Sequence, residues 1–256
     1  MYALSGGTTL RRLTFGGENH FAVWSPDARY IFFASNRDGH IGIFRQLADG
    51  TDTAERLSTA EDPSGQTPTS VDPSGRTLMF VNGRRGDGDL FLLPLEGERK
   101  PKPFVEVPGS LQAQGVFSPD GRWVAYMSNE LQTLGQIFVQ TYPTGTKYQI
   151  TTDGGYAPIW SPDGKQLFYY SANNKLFAVD IRTRPAFSFG RPSPLPIVGM
   201  LSEGPGPARN YDVTPDGKRF LVILQGSQRE VNSRSPIQIN VVLNWLEELK
   251  QHLPVK

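Results

Sequence analysis

A short turn motif recurs five times along the chain and limits its fold more than any other feature. Each copy contains a proline, and the prolines are 47, 46, 43 and 53 residues apart. The copies are Trp24-Ser25-Pro26-Asp27, Val71-Asp72-Pro73-Ser74-Gly75, Phe117-Ser118-Pro119-Asp120-Gly121, Trp160-Ser161-Pro162-Asp163-Gly164 and Val213-Thr214-Pro215-Asp216-Gly217. A period of this length indicates a repeat architecture.

Each copy of the motif predicts a tight turn between two strands. Proline sets φ near −65° at the second turn position, and the following glycine takes a positive φ. Ala28 replaces that glycine in the first copy, so we expect this turn to be strained or differently shaped. A strand with alternating apolar residues follows every turn, as at Ile31 and Phe33 or Leu78 and Phe80.

The remainder of each repeat predicts two more strands. A loop of Ser, Asn and Gly leads to a third strand, and a polar turn leads to a more polar fourth strand. Four antiparallel strands in about 45 residues are typical of a propeller blade. The sequence therefore predicts an all-β fold, a β-propeller of five four-stranded blade repeats in one domain, residues 1–256. The predicted blades are residues 19–59, 66–107, 112–151, 156–200 and 208–243.

Three motifs carry a resemblance to a known family. The W-S-P-D-G-[RK] turn, the S-N-R-D-G loop at residues 35–39 and the R-R-L-T strand at residues 11–14 resemble the WD-like repeat of TolB-type bacterial β-propellers. The stretch from Asn210 to Val222, with 241–245 after it, is similar to the end of propellers fused to bacterial serine/threonine kinases or winged-helix regulators. The resemblance implies a periplasmic sensor or scaffold module tethered to a kinase or regulator in a longer parent protein.

The two ends of the chain leave alternatives open. Residues 8–14 predict a fourth strand, which either completes the last blade and closes a monomeric five-bladed ring or belongs to a blade of a longer protein. Residues 2–4, a third strand before it, favour the longer protein. Residues 244–253 predict a short C-terminal helix, because Asn244 is a suitable N-cap and Glu247 follows three residues later. We expect this helix to pack under the last blade, with partner binding as the alternative.

The fourth repeat departs from the pattern. Its outer strand is replaced by a proline-containing stretch, residues 184–198. Because proline cannot donate to a sheet ladder, we expect this stretch at a sheet edge. Residues 199–209 predict a long connection, either functional or a simple surface detour.

Composition excludes several classes of partner and chemistry. The 26 Lys and Arg balance 25 Asp and Glu, which argues against a general surface for nucleic acid or an anionic membrane. The absence of cysteine excludes disulfides and thiolate catalysis but leaves the compartment open. No run approaches about 20 apolar residues, and residues 1–7 lack the charged and apolar regions of a signal peptide. The periplasmic location therefore rests on the resemblance, and the cytoplasm remains an alternative.

The sequence predicts no catalytic residue, metal or cofactor. It contains no Gly-x-Ser-x-Gly elbow, phosphate-binding loop or His-Glu-x-x-His motif, and the loop at residues 36–39 lacks the spacing of a calcium site. The recurring Asp27, Asp120, Asp163 and Asp216 occupy one position of each repeat, so we expect them to cap turns. A hydrolase or lyase with its site in the central channel is an alternative, as is a structural segment of a larger protein.

One predicted surface is left as the candidate site. In a propeller, the loops entering each first strand and those joining second to third strands share one face. Arginine and aromatic residues, the types enriched in binding hot spots, occur among the residues at these positions. The sequence therefore predicts a non-catalytic module that binds a protein or peptide. The candidates are His20, Phe21, Arg37, Asp38, His40, Gln66, Arg84, Gln114, Tyr156, Arg209 and Tyr211.

Overall fold

The structure is a computed structural model. It describes residues 12–58, 65–84, 87–131, 134–197, 200, 209–223 and 239–243, the last segment as backbone only. The described residues are all-β, and their strands form five antiparallel sheets. The chain divides into two compact units, Met1–Ala113 and Gln114–Lys256.

The first unit contains the first two repeats, each folded as a meander of four strands in chain order. A shared apolar core joins the two sheets, with Phe32 and Ile43 of the first against Phe80 and Leu93 of the second. The strands of the first sheet are β1 Asn19–Trp24, β2 Tyr30–Ser35, β3 Gly42–Leu47 and β4 Glu55–Arg56. Those of the second are β5 Gln66–Val71, β6 Thr77–Arg84, β7 Asp87–Pro94 and β8 Lys102–Val105.

The second unit contains the other three repeats. The fifth repeat has three strands among the described residues. The third sheet has β9 Gln112–Phe117, β10 Trp123–Ser128, β11 Gln136–Thr141 and β12 Lys147–Gln149. The fourth has β13 Gly155–Trp160, β14 Gln166–Ser171, β15 Leu176–Arg182, β16 Ser188–Phe189 and β17 Ser193–Pro194. The fifth has β18 Tyr211–Val213, β19 Arg219–Ile223 and β20 Ile239–Leu243.

The repeated turn is held by its own side chains. In the first copy Ser25 Oγ donates to Asp27 Oδ1 over 2.5 Å, and the same carboxylate accepts the N–H of Arg29 over 3.1 Å. These hydrogen bonds hold the pKa of Asp27 below its usual range. The third, fourth and fifth copies repeat the Ser or Thr to Asp bond. The aspartates therefore cap turns, as predicted.

Ala28 takes the left-handed conformation that glycine takes in the other copies. Its φ is 57°, and that of Gly75 is 73°. The turn therefore keeps the usual shape. It is strained, because alanine at positive φ brings its Cβ close to the backbone.

The irregular outer part of the fourth sheet lies at an edge, as predicted. Both β16 and β17 pair with β15. Ahead of β16, Phe187 packs on the neighbouring third sheet, with its ring centroid 4.3 Å from that of Tyr148 and 4.7 Å from that of Trp123. This proline-containing segment makes few inter-strand hydrogen bonds, and aromatic contacts hold it against the neighbouring sheet.

Several predictions fall wholly or partly outside the described residues. These are the helix at 244–253, residues 8–11 of the predicted N-terminal strand and most of the connection at 199–209. Residues 12–14 are described and are not in a strand, and Leu13 C=O accepts a hydrogen bond from Gln46 over 2.8 Å. Closure of the ring and a single domain stay predictions. Among the described residues, no helix is long and apolar enough to cross a bilayer.

Candidate functional site

Most of the predicted binding residues gather in two places, one in each unit. In the first unit, His20, Phe21, Arg37, Asp38 and His40 lie at the start of β1 and in the loop between β2 and β3. Gln114, Tyr156, Arg209 and Tyr211 surround a distorted stretch of β13 in the second unit.

Arg37 is the best-supported residue of the first group. Four residues contact its side chain, and together with Arg37 they are called the Arg37 cluster: Asn19, Phe33, Ser35 and Phe44. Arg37 Nη2 donates to Asn19 Oδ1 over 2.9 Å, and Arg37 Nε lies 3.2 Å from Ser35 Oγ. The guanidinium carbon lies 5.2 Å from the ring centre of Phe33 and 4.9 Å from that of Phe44, within cation–π range. Polar and aromatic contacts together fix this arginine.

The loop that enters β1 meets the loop between β2 and β3. Glu18 N–H donates to Asn36 Oδ1 over 2.8 Å, and the Asn36 amide lies 3.4 Å from Glu18 Oε2. Asp38 faces Arg56 of β4, with Oδ2 3.6 Å from Nη1. The side chain of His40 is exposed.

An aromatic pair adjoins the Arg37 cluster on the same strand. The rings of exposed His20 and half-buried Phe21 are 5.8 Å apart. Phe21 has a φ of 57°, and the β1–β2 register shifts between His20 and Val23. A bulge re-aims the side chains of a strand and often lies beside a functional site. Here it places an aromatic pair next to Asn19, which holds Arg37.

The other two candidates of the first unit are less informative. Gln66 is only 5% exposed, and its amide nitrogen lies 3.5 Å from Asn82 Oδ1 of the same hairpin. It therefore supports its own sheet. Arg84 ends β6, and its side chain lies outside the described residues.

The second group holds a backbone bulge at Ala157, which has a φ of 54°. Ala157 N–H donates to Gln114 Oε1 over 2.5 Å, and Ala157 C=O accepts the hydroxyl of Tyr211 over 2.6 Å. Arg209 Nη1 lies 3.4 Å from Pro158 C=O. Neighbouring sheets thus satisfy the polar groups that the bulge frees, and Gln114 and Tyr211 join three sheets.

Three tyrosine rings contact one another beside this bulge, one pair stacked and the other edge to face. Tyr170, which sequence reasoning missed, lies between Tyr156 and Tyr211 at centroid distances of 5.8 and 5.1 Å. Burial raises the pKa of Tyr170 to about 12 and that of Tyr211 well above its usual value. These phenols stay protonated at neutral pH, and that of Tyr211 donates a hydrogen bond to Ala157 C=O.

The supporting residues of the Arg37 cluster were also missed by sequence reasoning. Asn19, at the first position of β1, reaches Arg37 across 18 residues. Its one sequence signal is a polar residue at the start of an inner strand, where Gln66 and Gln112 also occur. In the part of the chain that the structure describes, no group of three His, Cys, Asp or Glu side chains could hold a metal ion.

No protein-family model matches the chain. A search of curated proteins finds dipeptidyl-peptidase 5 of Aspergillus fumigatus, 26% identical over 163 residues that cover 55% of this chain and 22% of the peptidase. Among solved structures, TolB from Acinetobacter baumannii superposes with a TM-score of 0.64 at 19% identity, over 82% of this chain and 49% of TolB. The chain has the fold of a TolB-type β-propeller.

The fold is shared with proteins of different activity. A gluconolactonase from Xanthomonas campestris superposes with a TM-score of 0.57 at 12% identity, over 82% of this chain and 70% of the lactonase. The chain spans about a fifth of the peptidase and about half of TolB. Such likenesses establish the fold, and function has to be argued from the site.

Proposed function

We propose that the chain is a non-catalytic propeller module that binds a protein or peptide at the end of the first sheet, around the Arg37 cluster. The observation that carries this proposal is the grouping of a fixed arginine with an accessible His20–Phe21 pair. Arginine and aromatic side chains supply most of the energy of typical protein interfaces. A distorted first strand presents them together.

Peptide selection with the purified chain tests this function. Peptides selected from a random library for binding the wild-type chain are expected to lose at least tenfold in affinity for a His20→Ala/Phe21→Asn double variant. Asparagine tolerates positive φ, so it removes the Phe21 ring without adding backbone strain. Lys100→Ala, an exposed change in the β7–β8 loop, is the matched control. Selected peptides that bind the double variant as tightly as wild type would contradict the proposed site.

A second function is favoured by one specific observation, the local sequence match to a dipeptidyl-peptidase. In this alternative the chain, or a longer protein containing it, hydrolyses or cleaves a substrate with a site inside the propeller. The raised pKa values of Tyr170 and Tyr211 do not suit acid–base catalysis near neutral pH. Release of chromophore from dipeptidyl-nitroanilides by the purified chain, at rates above a heat-denatured sample, would favour the enzyme.

The wider setting follows from the resemblance of the repeats. We infer a periplasmic sensor or scaffold that forms part of a longer protein with a kinase or regulator domain. Cell fractionation with an antibody against the chain tests both points, because it reports the compartment and the mass of the native protein. A native product found only in the cytoplasm would contradict the periplasmic location.

A further inference from the structure

Arg37 differs from the other partly buried arginines of the described residues in that it has no ion pair. Four arginines of the described residues are neither buried nor fully exposed, namely Arg37, Arg45, Arg56 and Arg99. Arg45 and Arg99 both pair with Glu55, at 2.6 and 2.5 Å, and Arg56 pairs with Asp38. Arg37 takes part in none of the ion pairs between described residues. It is a half-buried cation without a carboxylate.

The acidic side chains of the two adjoining loops have other partners. Asp38, the next residue, faces Arg56, and Glu18 is held by Asn36. Full burial of a cation is unfavourable unless an anion compensates it, and Arg37 is only partly buried. The acceptors that Arg37 has, Asn19 Oδ1 and Ser35 Oγ, are neutral. The charge of this guanidinium is therefore left for an external anion.

The guanidinium is also oriented before any ligand arrives. Two of its five N–H groups are used by Asn19 and Ser35, and the two phenylalanine rings fix its position. The other three N–H groups have no acceptor among the described residues. A rigid arginine loses little side-chain entropy when it binds, which favours affinity.

We propose that Arg37 anchors a peptide carboxylate, with the His20–Phe21 pair contacting the residues beside it. This inference rests on the proposed binding function and names its ligand chemistry. A guanidinium matches the two oxygens of a carboxylate in a bidentate pair. Both an Asp or Glu side chain and a free C-terminus offer the required group.

The test uses the selected peptides in four synthetic forms. These are the parent, a form with Asp and Glu replaced by Asn and Gln, a C-terminally amidated form, and a form with both changes. Fluorescence anisotropy measures each against wild type, Arg37→Gln, Arg37→Lys and the control Arg122→Gln. Arg122 is exposed and pairs with Asp120 in a repeated turn of the other unit. Thermal unfolding verifies that each variant is folded.

We expect Arg37→Gln to weaken the parent peptide by about 10- to 100-fold, the range for a hydrogen-bonded charged pair. Removing the carboxylate from the peptide should weaken wild-type binding by a similar factor, and the two changes together should add little more. Arg37→Lys should retain part of the affinity, because it keeps the charge and loses the bidentate geometry. Whichever peptide change weakens binding, side-chain or C-terminal, identifies the source of the carboxylate.

Other outcomes separate this inference from the proposed function. Peptides that depend on His20 and Phe21 but bind equally well after Arg37→Gln, or after removal of every carboxylate, would overturn the carboxylate anchor and leave the binding function standing. Should Arg37→Gln not fold, Arg37→Lys and the neutral peptides on wild type decide in the same way. A selection that yields no peptide for the wild-type chain would overturn both.

Discussion

Two tyrosines beside the Ala157 bulge differ in whether their buried hydroxyl is hydrogen-bonded, so removal of each hydroxyl should have a different effect on stability. Tyr211 donates its hydroxyl to Ala157 C=O over 2.6 Å in a buried hydrogen bond. Tyr170, 5.1 Å away between ring centroids and 2% exposed, has a buried hydroxyl with no acceptor or donor among the described residues. Tyr211→Phe and Tyr170→Phe each remove one oxygen atom from the same cluster.

The expected effects differ in size and in sign. Tyr211→Phe leaves a buried carbonyl without its partner, which costs about 1–3 kcal/mol. Tyr170→Phe removes a buried polar group that gains nothing in the fold, so it should be neutral or stabilising by about 1 kcal/mol. Urea unfolding followed by tryptophan fluorescence measures both. With an m value near 2 kcal/mol per M, a loss of about 2 kcal/mol lowers the midpoint by about 1 M.

Either of two results would refute this reasoning. A Tyr211→Phe midpoint equal to that of wild type would mean that the bulge does not depend on this hydrogen bond. A Tyr170→Phe variant as destabilised as Tyr211→Phe would mean that the Tyr170 hydroxyl has a partner in the folded chain. Equal m values for the variants and wild type are the control, because a changed m would mean that different states are being compared.

Three further predictions concern packing, backbone strain and charge. Phe187→Ala removes the half-buried ring that packs on Tyr148 and should cost about 2 kcal/mol in the same unfolding assay; no change would mean that the contact is absent in solution. Ala28→Gly should be neutral or stabilising by up to about 1 kcal/mol, and Gly75→Ala, where a Cβ meets no atom within 4 Å, should cost about 1 kcal/mol; the opposite order would contradict the assigned φ angles. Burial and two nearby acidic groups raise the pKa of Asp89 above 3.8, so its charge lowers stability above that pH and the penalty fades in acid. Asp89→Asn should therefore be more stable than wild type at pH 7 by a margin that shrinks below about pH 4, and a constant margin would rule out this cause.

The fold could be predicted from the sequence because its determinants are local and repeated. A Ser-Pro-Asp-Gly turn carries its own hydrogen-bonding groups, and the alternation after it selects one buried face. Five copies gave five chances to identify the same unit, so strand order and the all-β class followed. Even the edge position of the irregular fourth repeat was predicted, because proline lacks the donor that an inner strand needs.

The candidate site was predictable only as a set of loop positions. The predicted Arg37 and the predicted Gln114 are both polar residues near strand ends, and the sequence offered no means of separating them. In the structure Gln114 is 5% exposed and accepts the Ala157 N–H, whereas Arg37 is half-buried without a carboxylate. The hydrogen-bond partners of these two side chains include residues 18 and 43 positions away in the sequence, which the local pattern does not reveal.

The sequence by itself determined the repeating unit, its turns and the alternation that buries one face of each strand. These depend on φ preferences and side-chain period within a few residues, which short motifs encode. Only the tertiary structure decided that Phe21, Gln114 and Ala157 adopt positive φ at the third position of their strands. None of these residue types favours that conformation, so contacts from neighbouring strands and sheets must impose it. A contact between distant residues, that of Arg37 with Asn19 across 18 positions, likewise helps to hold Arg37 in place.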